Sequence, residues 1–477
     1  MGVVPWVVLV IEILGQLALV AYILARKHRS PATSLAWVVL IMTLPVVGVF
    51  AYLFVGEARL GSRRRNRHRD IVAQTRAEGW LHGAVGQYPE IESALAPQAS
   101  LVESVGGFPL RGSNEVKLIG DTDDCIAAMV ADIDAATDHC HLLFYIMLGD
   151  ASGAAIVQAL SRAAARGVEC RLLLDAVGSK DLLSSPLIAE LRRSGVSVVA
   201  ALPASLLRAA LSRLDLRNHR KLAVIDGQIA YTGSQNIADA AFAPKPRFAP
   251  WVDAMLRIRG PAVLDLQELF IEDWFLDSKE SLVHKMEIDP PQVAGGVVMQ
   301  IVPTGPDDHH AGLRLISQSA FHLAREEIQL TTPYFVPAEP EVDALCVAAR
   351  RGVRTRLVVP ARNDSPLVAA ASRSFYDKLL DAGVEIYEYT EGLLHAKTMT
   401  IDRELSMVGT ANFDRRSFEL NFEVSALVYD KDFAGRLRFL QRSYMSSSQR
   451  INHSLWLKRG RWRRLAENAV GMFSPLL

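Results

Sequence analysis

The residues of this chain that are best suited to chemistry form a short motif that occurs twice. The pattern H-x-K-x-x-x-x-D is carried by His219, Lys221 and Asp226, and again by His395, Lys397 and Asp402. In both copies a glycine follows the histidine by fourteen residues and an asparagine follows it by seventeen, at Gly233, Asn236, Gly409 and Asn412. Because the copies also agree in this downstream spacing, we interpret them as the two halves of one duplicated site.

The histidine and the lysine of each copy are expected to share one face of a β-strand. In the first copy a β-rich run at residues 222–225 follows Lys221 and ends at Asp226, where Asp-Gly predicts a hairpin turn. Residues i and i+2 of a strand point to the same side, so the imidazole and the ammonium group project together. If the halves pack about a pseudo-two-fold axis, two imidazoles and two ammonium groups face each other across one site.

Such a set of side chains favours a phosphate group over a metal ion. Two lysines would repel a cation, and the motifs supply few metal ligands. Lysines instead neutralise phosphate oxygens and stabilise the charge that develops in the transition state. One histidine can attack phosphorus, while the other protonates the leaving alkoxide and then deprotonates the incoming hydroxyl. The predicted chemistry is two-step phosphodiester exchange with no metal and no cofactor.

The other motif residues admit a structural role beside a chemical one. For Asp226 and Asp402, forming the turn is at least as well founded as taking part in catalysis. Six residues that follow the lysines are predicted to bind the phosphate or to let the backbone approach it. They are Gly233, Ser234, Asn236, Gly409, Thr410 and Asn412.

Composition narrows the class of partner. A chain of 477 residues is long enough for two or three domains with a large core. Lys+Arg and Asp+Glu both total 52, so no net charge draws the protein to nucleic acid, and no nucleic-acid partner is predicted. The four cysteines are scattered without a C-x-x-C pair, which predicts reduced core residues and a cytoplasmic catalytic portion.

Two apolar runs, residues 3–24 and 35–55, predict a two-helix transmembrane hairpin within residues 1–58. Each run has the roughly 20 residues that cross the hydrocarbon of a bilayer. A cleaved signal peptide is the alternative for the first run, but the start is not basic and a second run follows at once. The arginine cluster at residues 59–69 predicts that the remaining chain is cytoplasmic and that this cluster holds anionic headgroups. Glu12 receives no role.

After a basic juxtamembrane segment and linker at residues 59–101, helical and β-rich runs alternate. Such alternation predicts a parallel or mixed sheet covered by helices. Residues 159–174 are similar to residues 344–359, and each of these stretches precedes one H-x-K motif. We therefore predict two duplicated domains, at residues 102–290 and 291–477.

The second domain ends in a basic tail that contains tryptophan. Residues 455–465 combine Trp456 and Trp462 with five Lys/Arg. Basic residues beside tryptophans are typical of segments that lie among lipid headgroups. A solvated surface helix is the alternative interpretation.

The paired motif with its following G-[GST]-x-N resembles the signature of the phospholipase D superfamily, over roughly residues 102–477. Further stretches resemble bacterial cardiolipin synthases: Arg217-Asn-His-Arg-Lys221, Pro250-Trp-Val-Asp253, Thr332-Pro-Tyr-Phe-Val-Pro337, and Gly409-Thr-Ala-Asn-Phe-Asp-Arg-Arg-Ser417 with Asn421-Phe-Glu423. The resemblance implies an α/β fold of two tandem phospholipase D-like αβα sandwich domains with pseudo-two-fold symmetry, preceded by the transmembrane hairpin.

The resemblance also implies roles for particular residues. In the superfamily a carboxylate downstream of each motif hydrogen-bonds the catalytic imidazole. Asp253 matches that position in the first half and Glu423 matches it in the second. By similarity, His219 is expected to be the nucleophile and His395 the general acid and base. The spacing alone does not distinguish the two histidines.

The implied activity is cardiolipin synthesis from two phosphatidylglycerol molecules, with release of glycerol through a phosphatidyl-histidine intermediate. The implied partners are phosphatidylglycerol, cardiolipin and membrane lipids, and no protein partner is predicted. The implied location is the bacterial inner (plasma) membrane, as a multi-pass protein. The alternatives are a phospholipase D-type lipid hydrolase, another transphosphatidylase, and a non-catalytic membrane scaffold that binds lipid. A scaffold predicts the loss of a catalytic histidine or lysine, and all four are present.

Overall fold

The computed structural model describes residues 3–25, 31–56, 61–77, 89–203, 215–283, 290–306 and 312–472. The chain divides into two compact units. One unit consists of residues 1–61 and 204–216, and the other of residues 62–203 and 217–477.

The first unit contains the helices α1 (Val3–Leu24), α2 (Pro31–Thr43) and α3 (Pro45–Val55). They share a small core in which the rings of Trp37 and Tyr52 meet edge to face, with centroids 5.3 Å apart. A Cβ at Gly48 would lie 2.7 Å from the Cα of Ile41. A glycine at this position therefore allows α3 to pack closely on α2.

The predicted second membrane span, residues 35–55, forms two helices rather than one. Proline has no N–H to donate, and its ring clashes with the carbonyl four residues earlier in a helix. Accordingly α2 ends at Thr43 and α3 begins at Pro45. Among the described helices, none is both long and apolar enough to cross a membrane. The transmembrane hairpin is therefore not supported.

The second unit holds the duplicated part of the chain. Its helices are α4 (Ser62–Ala77), α5 (Ala96–Gly106), α6 (Thr122–Ala135), α7 (Ala151–Ala165), α8 (Lys180–Leu183), α9 (Pro186–Arg193), α10 (Ala262–Ser278), α11 (Gly312–Leu323), α12 (Glu339–Arg350), α13 (Pro366–Ser374), α14 (Tyr376–Asp381), α15 (Arg415–Glu419), α16 (Lys431–Ser446), α17 (His453–Leu457) and α18 (Arg461–Gly471). Its strands are β1 (Arg111–Ile119), β2 (His139–Phe144), β3 (Glu169–Asp175), β4 (Ser197–Ala201), β5 (Arg217–Asn218), β6 (Leu222–Ile225), β7 (Ile229–Gly233), β8 (Trp251–Val252), β9 (Met255–Arg259), β10 (Val297–Thr304), β11 (Glu327–Thr331), β12 (Phe335–Val336), β13 (Arg354–Pro360), β14 (Glu385–Tyr389), β15 (Leu393–Leu394), β16 (Thr398–Ile401), β17 (Leu405–Gly409), β18 (Phe413–Asp414), β19 (Asn421–Tyr429) and β20 (Ser448–Arg450).

One mixed sheet runs through both halves of this unit. Strands β1 and β10 pair antiparallel at its centre. From β1 outward the order is β9, β7, β6, β2, β3 and β4, and from β10 outward it is β19, β17, β16, β11, β13 and β14. Because the two orders match strand for strand, the duplication read from the sequence is also a structural repeat. The two predicted domains share this sheet and, apart from residues 204–216, one compact unit.

Helices cover both faces of the sheet, as strand β2 illustrates. Leu143 belongs to a core that includes residues of α10 and α16, whereas Leu142 and Phe144 belong to a core with α6 and α7. Successive side chains of a strand point to opposite faces, so these cores lie on opposite sides of the sheet. The αβα layering implied by the family resemblance is therefore present.

The arginine cluster predicted to lie against headgroups is partly used inside the protein. In α4, Arg64 makes a bidentate ion pair with Asp277, with nitrogen-to-oxygen distances of 2.8 Å and 3.0 Å. Arg67 donates to the carbonyl of Leu276 at 3.0 Å. Both contacts fix α4 on α10, so for these two arginines the headgroup prediction is corrected to a packing role.

Candidate active site

Each catalytic-motif histidine is attached to a strand of the opposite half. Strand β5, just before His219, pairs in parallel with the start of β19, and the His219 amide donates to the Phe422 carbonyl at 2.9 Å. Strand β15, just before His395, pairs in parallel with β8, and the His395 amide donates to the Val252 carbonyl at 2.7 Å. These two short pairings bring the two H-x-K motifs together in one site.

The same exchange extends to the carboxylates. Nδ1 of His219 lies 2.8 Å from a carboxylate oxygen of Glu423, and Nδ1 of His395 lies 2.7 Å from one of Asp253. All four side chains are buried. The sequence located both carboxylates but did not predict that each one serves the imidazole of the other half.

Two hydroxyls that were predicted to bind phosphate hold these carboxylates instead. Ser234 Oγ donates to Asp253 at 2.6 Å and accepts from the Ala254 amide at 2.9 Å. Thr410 Oγ1 donates to Glu423 at 2.5 Å and accepts from the Val424 amide at 2.9 Å. The small polar residue of G-[GST]-x-N therefore orients the carboxylate that orients the imidazole.

Burial and the ion pairs set the protonation of the two histidine–carboxylate pairs. Burial and, to a smaller extent, the lysines of both motifs lower the pKa of His219 and of His395 to about 4, against the opposing effect of the carboxylates. Burial alone would raise the pKa of Asp253 and Glu423, but their histidine partners hold both at about 2. At neutral pH each neutral imidazole therefore donates its Nδ1 proton to a carboxylate, which leaves the Nε2 lone pair for chemistry.

The two lysines contact the backbone of the motif histidines, and their pKa values are also shifted. Lys221 Nζ donates to the His219 carbonyl at 2.8 Å, and Lys397 Nζ donates to the His395 carbonyl at 2.6 Å. Burial lowers the pKa of Lys221 to about 8 and that of Lys397 to about 7. Two ammonium groups so close to deprotonation are stabilised when an anion binds between them.

Asp226 and Asp402 occupy turns and bind backbone amides. Asp226 accepts from the three amides of residues 137–139 at 2.8–2.9 Å, and Asp402 accepts from those of residues 325–327 at 2.7–2.9 Å. Both have positive φ angles, 52° and 51°. Asp226 follows Lys221 by five positions of extended chain, which corresponds to about 16 Å. The structure thus supports the turn-forming interpretation over the catalytic one.

Gly233 and Gly409 end the strands β7 and β17 where neighbouring backbone is very close. A Cβ at Gly233 would lie 2.4 Å from the Ala254 carbonyl, and one at Gly409 would lie 2.7 Å from the Val424 carbonyl. Both glycines are therefore required by the strands that deliver the carboxylates. The structure places them against backbone rather than around a phosphate.

The two motif asparagines differ. Asn236 accepts from the Ile146 amide at 3.1 Å and lines a small pocket together with Trp251 and Asp253. The side-chain oxygen of Asn412 is buried and has no hydrogen-bond partner among the described residues. This oxygen is a hydrogen-bond acceptor, so a phosphate would have to be bound by the amide nitrogen of Asn412 rather than by this atom.

Two aromatic residues at the site were not assigned from the sequence. The ring of Tyr145 lies 4.8 Å from that of His219, and the ring of Trp251 lies 4.6 Å from that of His395. Trp251 is two residues before Asp253 in an extended stretch, and this same-face spacing was a signal that could have identified it. Tyr145 follows strand β2 directly, at the sheet edge where the motifs meet.

Arg220, between the two reactive residues of the first motif, breaks the symmetry of the halves. Its guanidinium donates to Asp273 at 2.7 Å and to the backbone carbonyl of Glu423 at 3.1 Å. The second motif has Ala396 at this position. Arg220 therefore ties the strand that carries Glu423 to helix α10 in one half only.

With this geometry established, comparisons with known proteins identify the family. A family model described as "Cardiolipin synthase, PLD-like domain" matches residues 129–274 and 318–440, and one described as "Phospholipase_D-nuclease N-terminal" matches residues 4–57. Cardiolipin synthase A of Escherichia fergusonii is 38% identical over 486 aligned residues, with 100% of this chain and 99% of that protein covered. The chain belongs to the cardiolipin synthase family. The corresponding protein of Citrobacter koseri is also 38% identical over 486 residues, with the same coverage.

A solved structure adds a likeness of fold. The phosphatidylserine synthase of Haemophilus influenzae superposes with a TM-score of 0.59, covering 79% of this chain and 97% of that chain at 13% identity. The mixed α/β, phospholipase D-like fold is thereby confirmed.

The family relationship also bears on the function predicted from the sequence. The predictions of a bacterial phospholipase D-superfamily cardiolipin synthase, and of a phosphatidyltransferase as its enzyme class, are confirmed by these relatives. The absence of a metal and of a cofactor stays a prediction.

Proposed function

We propose that this site transfers a phosphatidyl group from one phosphatidylglycerol molecule to another, giving cardiolipin and glycerol. The observation that carries the proposal is the pair of neutral imidazoles, each held at Nδ1 by a buried carboxylate and each accompanied by a buried lysine. Such a pair provides one nucleophile and one proton carrier, as two-step exchange at phosphorus requires.

In the first step Nε2 of His219 attacks the donor phosphorus and a P–N bond forms. His395, which takes up a proton at Nε2 when the anionic donor binds beside it, passes that proton to the glycerol oxygen as the bond between this oxygen and phosphorus breaks. In the second step the neutral His395 takes the proton of the acceptor hydroxyl, whose oxygen attacks phosphorus and displaces His219. Protons and bonds balance over the cycle, and the overall exchange of one phosphodiester for another needs no external energy source.

Lys221 and Lys397 bind the phosphate oxygens in both steps, and Asn412 donates a hydrogen bond from its amide. Buried ammonium groups aimed at the developing charge lower the barrier because little solvent remains to screen them. Tyr145 and Trp251 pack beside the imidazoles and keep water from the intermediate. Exclusion of water is what separates a synthase from the hydrolase alternative, in which water takes the place of the acceptor lipid.

We further propose that the enzyme works at the bacterial plasma membrane. The unit of residues 62–203 and 217–477, which we call the catalytic unit, lies on the cytoplasmic side in this proposal. Support comes from the lipid nature of the proposed substrates and from the match of residues 4–57 to the N-terminal family model. Protease protection of a tag fused at either terminus, in intact spheroplasts, would test this orientation.

The function is tested by giving purified protein phosphatidylglycerol vesicles without metal or nucleotide and analysing the lipids by mass spectrometry. We expect cardiolipin and glycerol in equal amounts. Phosphatidic acid as the only new lipid would instead establish the hydrolase. Vesicles of phosphatidylcholine alone serve as the control, because they offer no acceptor hydroxyl on the headgroup.

The pKa values predict a bell-shaped dependence of kcat/KM on pH. As pH falls through about 4, both imidazoles gain a proton and the nucleophile is lost. As pH rises between about 7 and about 8, Lys397 and then Lys221 lose the charge that binds phosphate. A bound phosphodiester raises the pKa of both lysines, so the alkaline limb of kcat should lie at higher pH than that of kcat/KM. Assays in mixed micelles across this range would measure both limbs, and a kcat/KM that stays flat to pH 9 would contradict the lysine assignment.

A further inference from the structure

Helix α18 faces its apolar side away from the body of the protein. At helical spacing, Trp462, Leu465, Ala466, Ala469 and Met472 fall on one side, and we call this set the outer face. All five are exposed, Trp462 at 73%, Leu465 at 58% and Met472 at 81%. An amphipathic helix on a globular protein normally turns such a side toward the core.

The opposite, polar side of α18 is the one that attaches it. Glu467 is buried and forms ion pairs with Arg459 at 3.1 Å and Arg463 at 3.0 Å. Arg459 in turn pairs with Asp377 of α14 at 2.8 Å. The outer face is thus held outward by specific contacts, and its exposure is a built feature of the fold.

Close packing fixes the end of the helix as well. A Cβ at Gly471 would lie 2.5 Å from the hydroxyl of Ser374, the last residue of α13. A larger residue at position 471 would push α18 away from α13. The helix is therefore clamped at both of its ends.

Charge indicates what covers the outer face. Of the five Lys/Arg in residues 453–472, three form ion pairs with Asp377 or Glu467, and the exposed Lys458 and Arg461 remain. The guanidinium of Arg461 lies 5.6 Å from the Trp462 ring centroid. Leu455 and Leu457 of the adjacent α17 are exposed too. Apolar side chains rimmed by cations match an anionic bilayer surface, in which such a helix lies at the boundary of headgroups and acyl chains.

We propose that α18 is an interfacial helix that docks the catalytic unit on an anionic lipid surface through its outer face. This inference rests on the proposed lipid substrate and adds to it a surface by which the catalytic unit contacts the bilayer. It also refines the tail predicted from the sequence. Trp462 belongs to the docking face, whereas Trp456 is buried and donates from its indole N–H to Asp377 at 2.8 Å.

Helix α13, which packs against α18, begins next to a contact between the two halves of the second unit. Asp364, two residues before α13 begins, accepts a hydrogen bond from the Tyr334 hydroxyl at 2.7 Å. It also pairs with Lys245 at 2.5 Å, which comes from the first half. A lipid surface that binds α18 therefore also restrains α13, which begins next to the contacts of Asp364 with Tyr334 and Lys245.

The test uses the full chain reconstituted in vesicles, with an environment-sensitive fluorophore on Ala469→Cys. The four native cysteines are buried, so the engineered thiol is the one that labels under native conditions. With a quencher carried on shallow acyl positions, we expect emission to fall by about half or more in phosphatidylglycerol-containing vesicles and much less in phosphatidylcholine vesicles. A label on Asn468→Cys, on the flank of the same helix, should be quenched less.

Matched variants decide what causes the quenching. Leu465→Glu should abolish it, whereas Leu315→Glu, at another exposed leucine on α11, should leave it unchanged. Quenching that is absent in both lipids, or equal in both, would overturn the proposal. A blue-shifted label without lipid would show that a second protein copy covers the face, which also overturns it. Cardiolipin formation measured on the same samples tests the proposed activity separately from the docking of α18. Loss of activity with quenching retained would count against the activity alone, and loss of quenching with activity retained would count against the docking alone.

Discussion

Replacing His219 with alanine is expected to lower kcat for cardiolipin formation by at least about 10⁴-fold, since the proposed covalent route loses its nucleophile. The other imidazole that faces the site in the described part of the chain is that of His395, and it is needed for proton transfer. His395→Ala should cost a similar factor with phosphatidylglycerol, because the glycerol oxygen then leaves without a proton. Overall rates alone therefore do not separate the roles of the two histidines.

A phosphatidyl ester with an activated aryl leaving group does separate them. Such a group leaves without a proton, so His395→Ala should still form the first intermediate and then stall, because nothing deprotonates the acceptor. Intact-protein mass spectrometry should show a phosphatidyl adduct on His395→Ala and none on His219→Ala. An adduct on His219→Ala instead would exchange the two assignments. His322→Ala, at an exposed histidine of α11, is the control for nonspecific labelling.

Replacing Glu423 with glutamine is expected to lower kcat by roughly 10²- to 10⁴-fold, although the side chain keeps its size. A carboxylate at Nδ1 fixes the tautomer that presents the Nε2 lone pair, and it stabilises the imidazolium that forms. The amide does neither, and its own N–H can impose the wrong tautomer. Asp253→Asn should have an effect of the same order.

The crossed pairing makes a sharper prediction about which step each variant slows. Glu423 contacts His219, so Glu423→Gln should slow the burst of aryl leaving group from the activated substrate. Asp253 contacts His395, so Asp253→Asn should leave that burst intact and slow the breakdown of the adduct. If each carboxylate served the histidine of its own half, the two results would be interchanged. Thermal unfolding midpoints close to that of the parent protein would show that both variants remain folded.

The sequence was informative where function depends on short-range spacing. His219 and Lys221 are two residues apart, and a strand geometry alone brings their side chains to one face. The repeat at His395 and Lys397 required only that spacing be compared along the chain. For the same reason a mixed sheet covered by helices followed from the alternating helical and β-rich runs, whereas the αβα halves were implied by the family resemblance.

The sequence was uninformative where a partner lies far away along the chain. His219 and Glu423 are 204 residues apart, and nothing local to either residue says that β5 pairs with β19. Likewise the amides that bind Asp226 come from residues 137–139, so its turn role was open until the sheet was known. Ser234 belongs to a motif that was predicted to bind phosphate. Its contact with Asp253 depends on the register in which β7 pairs with β9, and the sequence does not reveal that register.

Composition also misled where it was read without tertiary contacts. An arginine-rich segment after an apolar run suggested a headgroup-binding cluster, yet Arg64 forms an ion pair with Asp277 inside the protein. Trp456 and Trp462 look equivalent in the sequence, although one is buried against α14 and the other exposed on α18. Side chains of one type thus divide between packing and surface roles according to which face of their helix meets the body.

The crossed contacts between halves also govern when the enzyme becomes active during its synthesis. A ribosome makes the first half, with His219 and its strand complete, well before residue 423 exists. Domains generally fold from the N-terminus as they emerge, and contacts of large sequence separation form late. Until β19 is made, His219 therefore lacks both its orienting carboxylate and the backbone partner at Phe422. A nascent chain already beside lipid is consequently expected to be inactive until the second half, with β19, has been translated.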